Sequence, residues 1–228
     1  MTKVKEESKS TAVATIQEQI AAQLARQQET AQGMRSTGSF IGFKNAQLKV
    51  DGISIPANQL DVRVLAAVSE RAWYAHDFDA DKVQVPDCYA LNDTVPHPEA
   101  SNPQADSCGD CQYNKWGSAK QGRGKACREG ARVIVIPANV PIGPAQMYTA
   151  KVPITSLSAV TGFTARCGQA NKLMGEFVTK LSVTEDKKSF FKVHLTPVEI
   201  TNDIDMGQLM AKQDQAFELA MTPYPVIE

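Results

Sequence analysis

Residues 176–200 read EFVTKLSVTEDKKSFFKVHLTPVEI, and this stretch decides the fold. Apolar and polar side chains alternate from Glu176 to Val183 and again from Ser189 to Ile200, with Thr184-Glu185-Asp186-Lys187-Lys188 between. A period of two puts alternate side chains on opposite faces of a strand, so the run predicts an antiparallel pair with one buried face. Upstream, Gln47–Val50 and Ile53–Ile55 flank Asp51-Gly52, a dipeptide suited to a two-residue hairpin turn. LDVRVLAAV, over 60–68, alternates and then becomes continuously apolar, as a strand buried near one end does. ARVIVIPA (131–138) and the segment 146–154, ending MYTAKVPI, predict two further strands.

Two helices belong to the same pattern. Thr155 to about Lys172 carries Leu157, Val160, Phe163 and Leu173 near one face, and Met206–Met221 carries Leu209, Met210, Phe217 and Leu219. Near the start, an Ala- and Gln-rich run from Thr11 to Ala31 sets Ile16, Ile20 and Leu24 on one narrow helical stripe. Charged, small residues precede it, and Gly33–Ser39 reads as a flexible break. The expected fold class is mainly β with a few helices (α+β): a small β-barrel or sandwich with a long loop. The expected organisation is a flexible segment with a helical arm (1–38), a β domain (39–200) including a stapled loop (85–130), and a C-terminal helix and tail (201–228).

Composition excludes little by itself. With 24 Lys plus Arg against 25 Asp plus Glu among 228 residues, net charge selects no partner, and 43% hydrophobic residues suit a globular core. No run approaches the roughly 18 apolar residues of a membrane helix, and the first residues lack the apolar centre of a secretory signal. The expectation is a cytoplasmic protein, in which thiols stay reduced and cysteines are first read as metal ligands or core residues.

Four of the five cysteines fall within forty residues as C-x19-C-x2-C-x15-C: Cys88, Cys108, Cys111 and Cys127. The knuckle Cys108-Gly109-Asp110-Cys111 can turn two thiolates onto one ion, and the outer cysteines complete a tetrahedral zinc set. A closed four-sulfur site leaves no position for a reactive water, so it implies structure. His97 is an alternative fourth ligand. A redox CxxC fits less well, because the knuckle lies in a Pro- and Gly-rich loop instead of opening a helix. Cys167 sits in the expected first helix and reads as a small core residue. His97-Pro98-Glu99 imitates a zinc deaminase motif, but too few residues separate it from the knuckle to hold the intervening strand. Gly117-Ser118-Ala119-Lys120-Gln121-Gly122 starts like a phosphate-binding loop and fails at Arg123, where that motif needs lysine. Asp77, Asp79 and Asp81 read as a solvated acidic turn, since a calcium loop would need Gly at Lys82 and Glu at Cys88.

Charge is unevenly placed. Residues 77–110 carry net −7, whereas residues 112–132 hold Lys115, Lys120, Arg123, Lys125, Arg128 and Arg132 against Glu129 alone, net +5. Gly117, Gly122 and Gly124 permit close backbone approach to a phosphate, with Ser118 as a hydroxyl donor. Tyr113 and Trp116 supply flat faces for bases, which Trp73 and Tyr74 could extend. The candidate phosphate contacts are Lys115, Lys120, Arg123, Lys125 and Arg128; the candidate stacking residues are Trp116, Tyr113 and Trp73. The competing reading is a cationic loop facing water or an acidic partner, as in a zinc-stapled protein–protein adaptor or virion component. An enzyme is disfavoured, because His76, His97 and His194 lie far apart and no nucleophile motif is present.

PDCYALND (86–93), SCGDCQYNKWGSAKQGRGKACREGARVIVIP (107–137), KVPITSLSAV, GEFVTKLSVTED and SFFKVHLTPVEI together resemble a family of bacteriophage single-stranded DNA-binding proteins with a four-cysteine zinc-binding insertion. The likeness spans roughly 40–200, and its cysteine-rich middle is the specific part. It implies an OB-like β-barrel with a zinc-stapled loop, Zn2+ on Cys88, Cys108, Cys111 and Cys127, and sequence-independent binding of single-stranded DNA. The implied setting is phage replication or recombination in the host cytoplasm, with proteins of those processes as partners. One departure is the end of the chain: residues 199–228 carry net −5, spread through a helix instead of a dense acidic tail.

Overall fold

The computed structural model describes residues 39–77, 84–92, 94–120 and 122–225. The N-terminal stripe of Ile16, Ile20 and Leu24, the break before Ser39 and the acidic positions Asp79 and Asp81 lie outside the described residues. Among these residues, nine strands form one sheet: β1 (Ser39–Lys44), β2 (Gln47–Val50), β3 (Ile53–Ser54), β4 (Gln59–Trp73), β5 (Cys88–Leu91), β6 (Arg128–Pro137), β7 (Tyr148–Pro153), β8 (Phe177–Asp186) and β9 (Phe190–Ile200). Helix α1 (Leu157–Gln169) separates β7 from β8, and α2 (Met206–Ala220) follows β9. The strand order is β3-β2-β1-β7-β6-β4-β8-β9, with β5 paired to β4 off this path. Every pairing is antiparallel except β1 with β7.

The strands and the two later helices expected from the sequence are present, with bounds set by tertiary pairing. Asp51 and Gly52 both take positive φ, 48° and 84°, as a tight turn of hairpin hand requires. Strand β9 carries Pro197 without losing a sheet bond. Its neighbour Val193 sends its N–H away from β8 to Ser156 Oγ (2.9 Å), and Pro197 lies in phase with it, where no donor to β8 is needed.

Strand β4 explains the apolar run LDVRVLAAV. It pairs with β6 on one side and with β8 and β5 on the other, and a bulge between Val64 and Ala66 shifts the alternation. Val62 and Val64 face a core shared with Val133 and Val135 of β6, Leu181 and Val183 of β8, and Val193 and Leu195 of β9. Ile41, Phe43 and Leu48 of the first hairpin join the same core, so the sheet curls until its two ends meet through side chains. Helix α1 covers this core with Val160, Phe163 and Cys167, spaced i, i+3, i+7, and the Phe163 ring meets Phe177 edge-on at 6.1 Å. Cys167 is buried, as expected of a core residue, whereas Leu173 lies beyond the helix and is partly exposed. Asn171 takes φ 52° just past the helix, the left-handed position that ends a helix without glycine.

The opposite face of β4 and β6 carries Leu65, Ala66, Val68, Ile134 and Ile136 beneath Leu209, Ala216 and Ala220 of α2. The core side of α2 therefore differs from the expected set: Leu209 is buried, but Met210 and Phe217 face outward. Small alanines let the helix lie close to the sheet, which the larger residues would have held off. Described residues from Ser39 onward fall within a single compact unit that includes α2.

Arg132, counted above with the basic segment, is buried in this second layer. Its Nε donates to Glu70 Oε1 (2.7 Å), and its Nη1 donates to the carbonyls of Ala220 (3.2 Å) and Thr222 (2.6 Å) at the end of α2. A cation at a helix C-terminus also meets the negative end of the helix dipole. Tyr224 Oη donates to the same Glu70 oxygen (2.7 Å), with the Arg132 guanidinium 4.7 Å over its ring. Burial and the Glu70 charge push the Tyr224 phenol far above its ordinary range, so it stays a donor. Arg132→Met should cost up to about 3–5 kcal/mol in urea unfolding, because Glu70 stays buried and charged with only the more distant Lys151 (3.8 Å) as a cation. The double replacement of Glu70 and Arg132 by Met should recover part of that loss; a double mutant worse than the sum would refute the pairing account.

Candidate metal centre and nucleic-acid interface

The segment between β4 and β6 holds the cysteines, and the sheet itself brings the outer two together. Trp73, the last residue of β4, pairs with Cys88 at the start of β5, while Ala72 pairs with Arg128, the residue after Cys127. Backbone bonds then seat the knuckle against them: Cys108 N donates to Thr94 O (2.7 Å), and Cys127 N donates to Tyr113 O (2.8 Å). Asn114 Nδ2 donates to Cys108 O (2.7 Å), and Asn114 N to Cys111 O (3.1 Å), fixing the turn of residues 112–114 beneath the knuckle.

Cys88, Cys108, Cys111 and Cys127 all line one void of about 10 Å3, with Trp73 at its wall. A space of that size admits a single water-sized sphere. Burial, with the neighbouring thiols adding to it, pushes Cys127 up to about 12 and Cys88 upward as well. Among the described residues, no three His, Cys, Asp or Glu side chains are already arranged to hold a metal ion. That observation and the shared void concern different things. Four neutral thiols have no attraction that would draw them to ligand distance; a bound ion would supply the deprotonation and closure. The donor set is of the kind zinc takes: four soft thiols line one small void, with no carboxylate in its lining.

His97 stands apart from that void. Its ring stacks on Tyr89 with centroids 5.0 Å apart, and its Nδ1 accepts from Glu99 N (3.1 Å) and lies 3.2 Å from Tyr89 Oη. It packs at the base of β5 and is not among the residues lining the cysteine void.

Beside the void lies an open cleft of about 560 Å3. Trp73, Tyr74, Tyr113, Lys120, Lys125 and Arg128 line it. Trp73 and Tyr113 stack with centroids 4.5 Å apart and planes 24° from parallel. Trp73 thus touches both spaces: it walls the cysteine void and backs the Tyr113 ring. The Arg128 guanidinium lies 5.8 Å over Tyr74, whose phenol is held protonated chiefly by burial, then by the Glu70 charge.

The remaining expected contacts surround this cleft instead of lining it. Trp116 is 76% exposed, its ring under the Lys125 ammonium at 5.9 Å, and Lys115 and Arg123 are exposed nearby in sequence. Gly117 and Gly122 take φ 86° and 78°, which lets the chain double back so that Gly117 N donates to Gly124 O (3.0 Å). Ser118 Oγ donates inward to Lys115 O (2.6 Å), with Tyr113 O also within reach (2.9 Å), and accepts from Ala126 N (3.0 Å), so this hydroxyl shapes the loop. Two cations have internal partners: Lys120 Nζ lies 3.0 Å from Asp77, and Lys125 Nζ lies 3.0 Å from Glu129 and from Asn114 Oδ1. The Lys120 pair is exposed on both sides and holds weakly. Lys115, Arg123 and Arg128 form no ion pair among the described residues.

The cysteine centre predicts that the protein loaded with zinc resists trypsin across residues 85–130 and loses that protection on chelation or with Cys111→Ser. The same digestion pattern with and without chelator would overturn the staple. No helix among the described residues is long and apolar enough to cross a membrane. No family model, curated protein or solved structure matches the chain.

Proposed function

We propose that this protein binds single-stranded DNA without reading its sequence, as the resemblance to phage single-strand binders implies, and that zinc on the four cysteines orders the binding loop. The observation that carries the reading is the cleft in which the Trp73–Tyr113 stack meets Lys120, Lys125 and Arg128, with Trp116 exposed on the same loop. Aromatic faces accept any base, and cations answer the phosphates, so such a surface binds strands by backbone and stacking. Arg128, Lys115 and Arg123 are the best phosphate partners, since they form no ion pair among the described residues. Trp116 and the outer face of Tyr113 offer stacking, with Trp73 as the support behind Tyr113.

The architecture supports an OB-like reading. Strands β4, β6 and β7, helix α1, then β8 and β9 follow in the order an OB-like barrel would use within the curled sheet, and the cleft lies in the connection between the first two. Strand β1 adds a parallel partner at the edge of β7, an elaboration on that plan. Zinc would contribute folding energy here, ordering a segment too polar to order itself.

A second reading, a zinc-stapled adaptor in replication assemblies or in the virion, draws on the Lys120–Asp77 and Lys125–Glu129 pairs, which spend two cations internally. Titrating intrinsic tryptophan with oligo-dT at several salt concentrations separates the two. DNA binding predicts quenching and a log affinity that falls with log salt by about 0.7 for each phosphate contact. Arg128→Glu should weaken binding to all sequences alike and flatten that slope; Trp116→Ala should cost about 1–3 kcal/mol of affinity. A zinc-loaded protein that leaves oligo-dT unbound at low salt points to the adaptor.

A further inference from the structure

At the far end of the sheet, the β8–β9 hairpin holds an aromatic ring in an unusual state. Phe190 is 88% exposed and its backbone takes φ 66°. Left-handed backbone is comfortable for glycine or asparagine and strained for a bulky aromatic. The turn enforces it. Asp186 Oδ2 accepts from Lys188 N (3.2 Å), Ser189 N (2.8 Å) and Ser189 Oγ (2.7 Å), and Phe190 pairs opposite Asp186 in the ladder. Those hydrogen bonds hold the Asp186 carboxyl below the usual carboxylate range, so the clasp is charged at neutral pH.

The fold thus holds a strained residue in place and gives its side chain no intramolecular shelter. A glycine would relax the backbone, and a polar residue would suit the exposure. Behind the ring, a cleft of about 780 Å3 is floored by Phe43 and Phe191, whose rings sit 6.4 Å apart, and edged by Asn45 and Lys187. Lys187, Lys188 and Lys192 stand here against Glu185 and Asp186, and the Asp186 carboxylate is already engaged by the turn and by Lys192 at 4.0 Å. Lys187 and Lys188 form no ion pair among the described residues. Ala46 and Ala57 also take positive φ, but Phe190 alone among the described positive-φ residues adds a large exposed ring.

We infer that the β8–β9 tip is a second nucleobase-binding site, at which Phe190 stacks a base of a single strand and Lys187 and Lys188 hold its phosphates. This rests on the binding reading above but not on the cysteine-flanked cleft. A stacked base is recognised by its face, so this contact is also indifferent to sequence.

The test compares Phe190→Gly, Phe190→Trp and Arg128→Glu by anisotropy of a dye-labelled oligo-dT, with thermal unfolding alongside. Phe190→Gly should weaken binding about 5- to 150-fold, the range for one lost stacked base, while leaving the melting temperature unchanged or raised. Phe190→Trp should keep or improve affinity. Photocrosslinking of a 5-iodouracil oligonucleotide should modify Phe190. If Phe190→Gly binds as the parent does while Arg128→Glu is weakened, the second site is wrong and the cleft stands. A lower melting temperature with unchanged affinity makes Phe190 structural and also overturns the inference. If the parent binds no oligonucleotide, both ideas fall together.

Discussion

Strand β4 is the constraint on which the rest of this molecule depends. It pairs with three other strands and is buried on both faces, one within the core enclosed by the curled sheet and one under α2. A strand with strict alternation could not serve two apolar layers with LDVRVLAAV. The bulge at Val64/Ala66 solves this by shifting the phase, so that Val64 enters one core while Leu65 and Ala66 enter the other. The same strand then runs on to Trp73, so the candidate site is fastened directly to the most deeply buried element. A site built on such an end inherits its rigidity.

The second layer is held by different physics. The Arg132–Glu70 pair sits among apolar side chains, where removing two charges from water costs several kcal/mol before their attraction offsets it. What the pair secures is position. One guanidinium reaches a β4 carboxylate and two carbonyls beyond α2, and Tyr224 reaches the same carboxylate. Only one placement of the helix end and the chain that follows satisfies all of these polar groups. Apolar contacts of α2 alone would tolerate sliding by a turn.

Much of this was legible in the sequence, and the reasons differ by element. Alternation gave the β8–β9 pair and Asp51-Gly52 gave the first hairpin, because local side-chain period and turn chemistry are sufficient there. Cysteine spacing was enough to anticipate that Cys88, Cys108, Cys111 and Cys127 share one locus. Strand β5 was not legible: CYAL is four residues inside an acidic, Pro-rich stretch, and it is a strand only because β4 offers an edge. Nor could the sequence say which cations face water. Arg132 and Arg128 lie four residues apart on one strand, yet one is buried under α2 and the other lines the cleft. Pattern gives a side chain's face; only the packing of a distant helix decides what that face meets. For α2 the large apolar residues drew attention, whereas close packing selected Ala216 and Ala220.

The cysteine centre and the cleft are one mechanical problem. Between Trp73 and Arg128 the chain makes a long excursion whose first half carries strong negative charge and little apolar surface. Closing such an excursion costs entropy that grows slowly with length, but ordering each residue within it costs far more. Strand β5 and the small cluster of Tyr89, Leu91 and Ala100 offset part of this at one end. At the other end, the knuckle rests on Trp73 and on single hydrogen bonds to backbone carbonyls. Tyr113, Lys120 and Lys125 have fixed positions only as far as that knuckle does. A four-thiolate ion at the void would therefore act on the cleft without touching anything bound there, by holding Trp73 against its cysteines and so holding Tyr113 against Trp73.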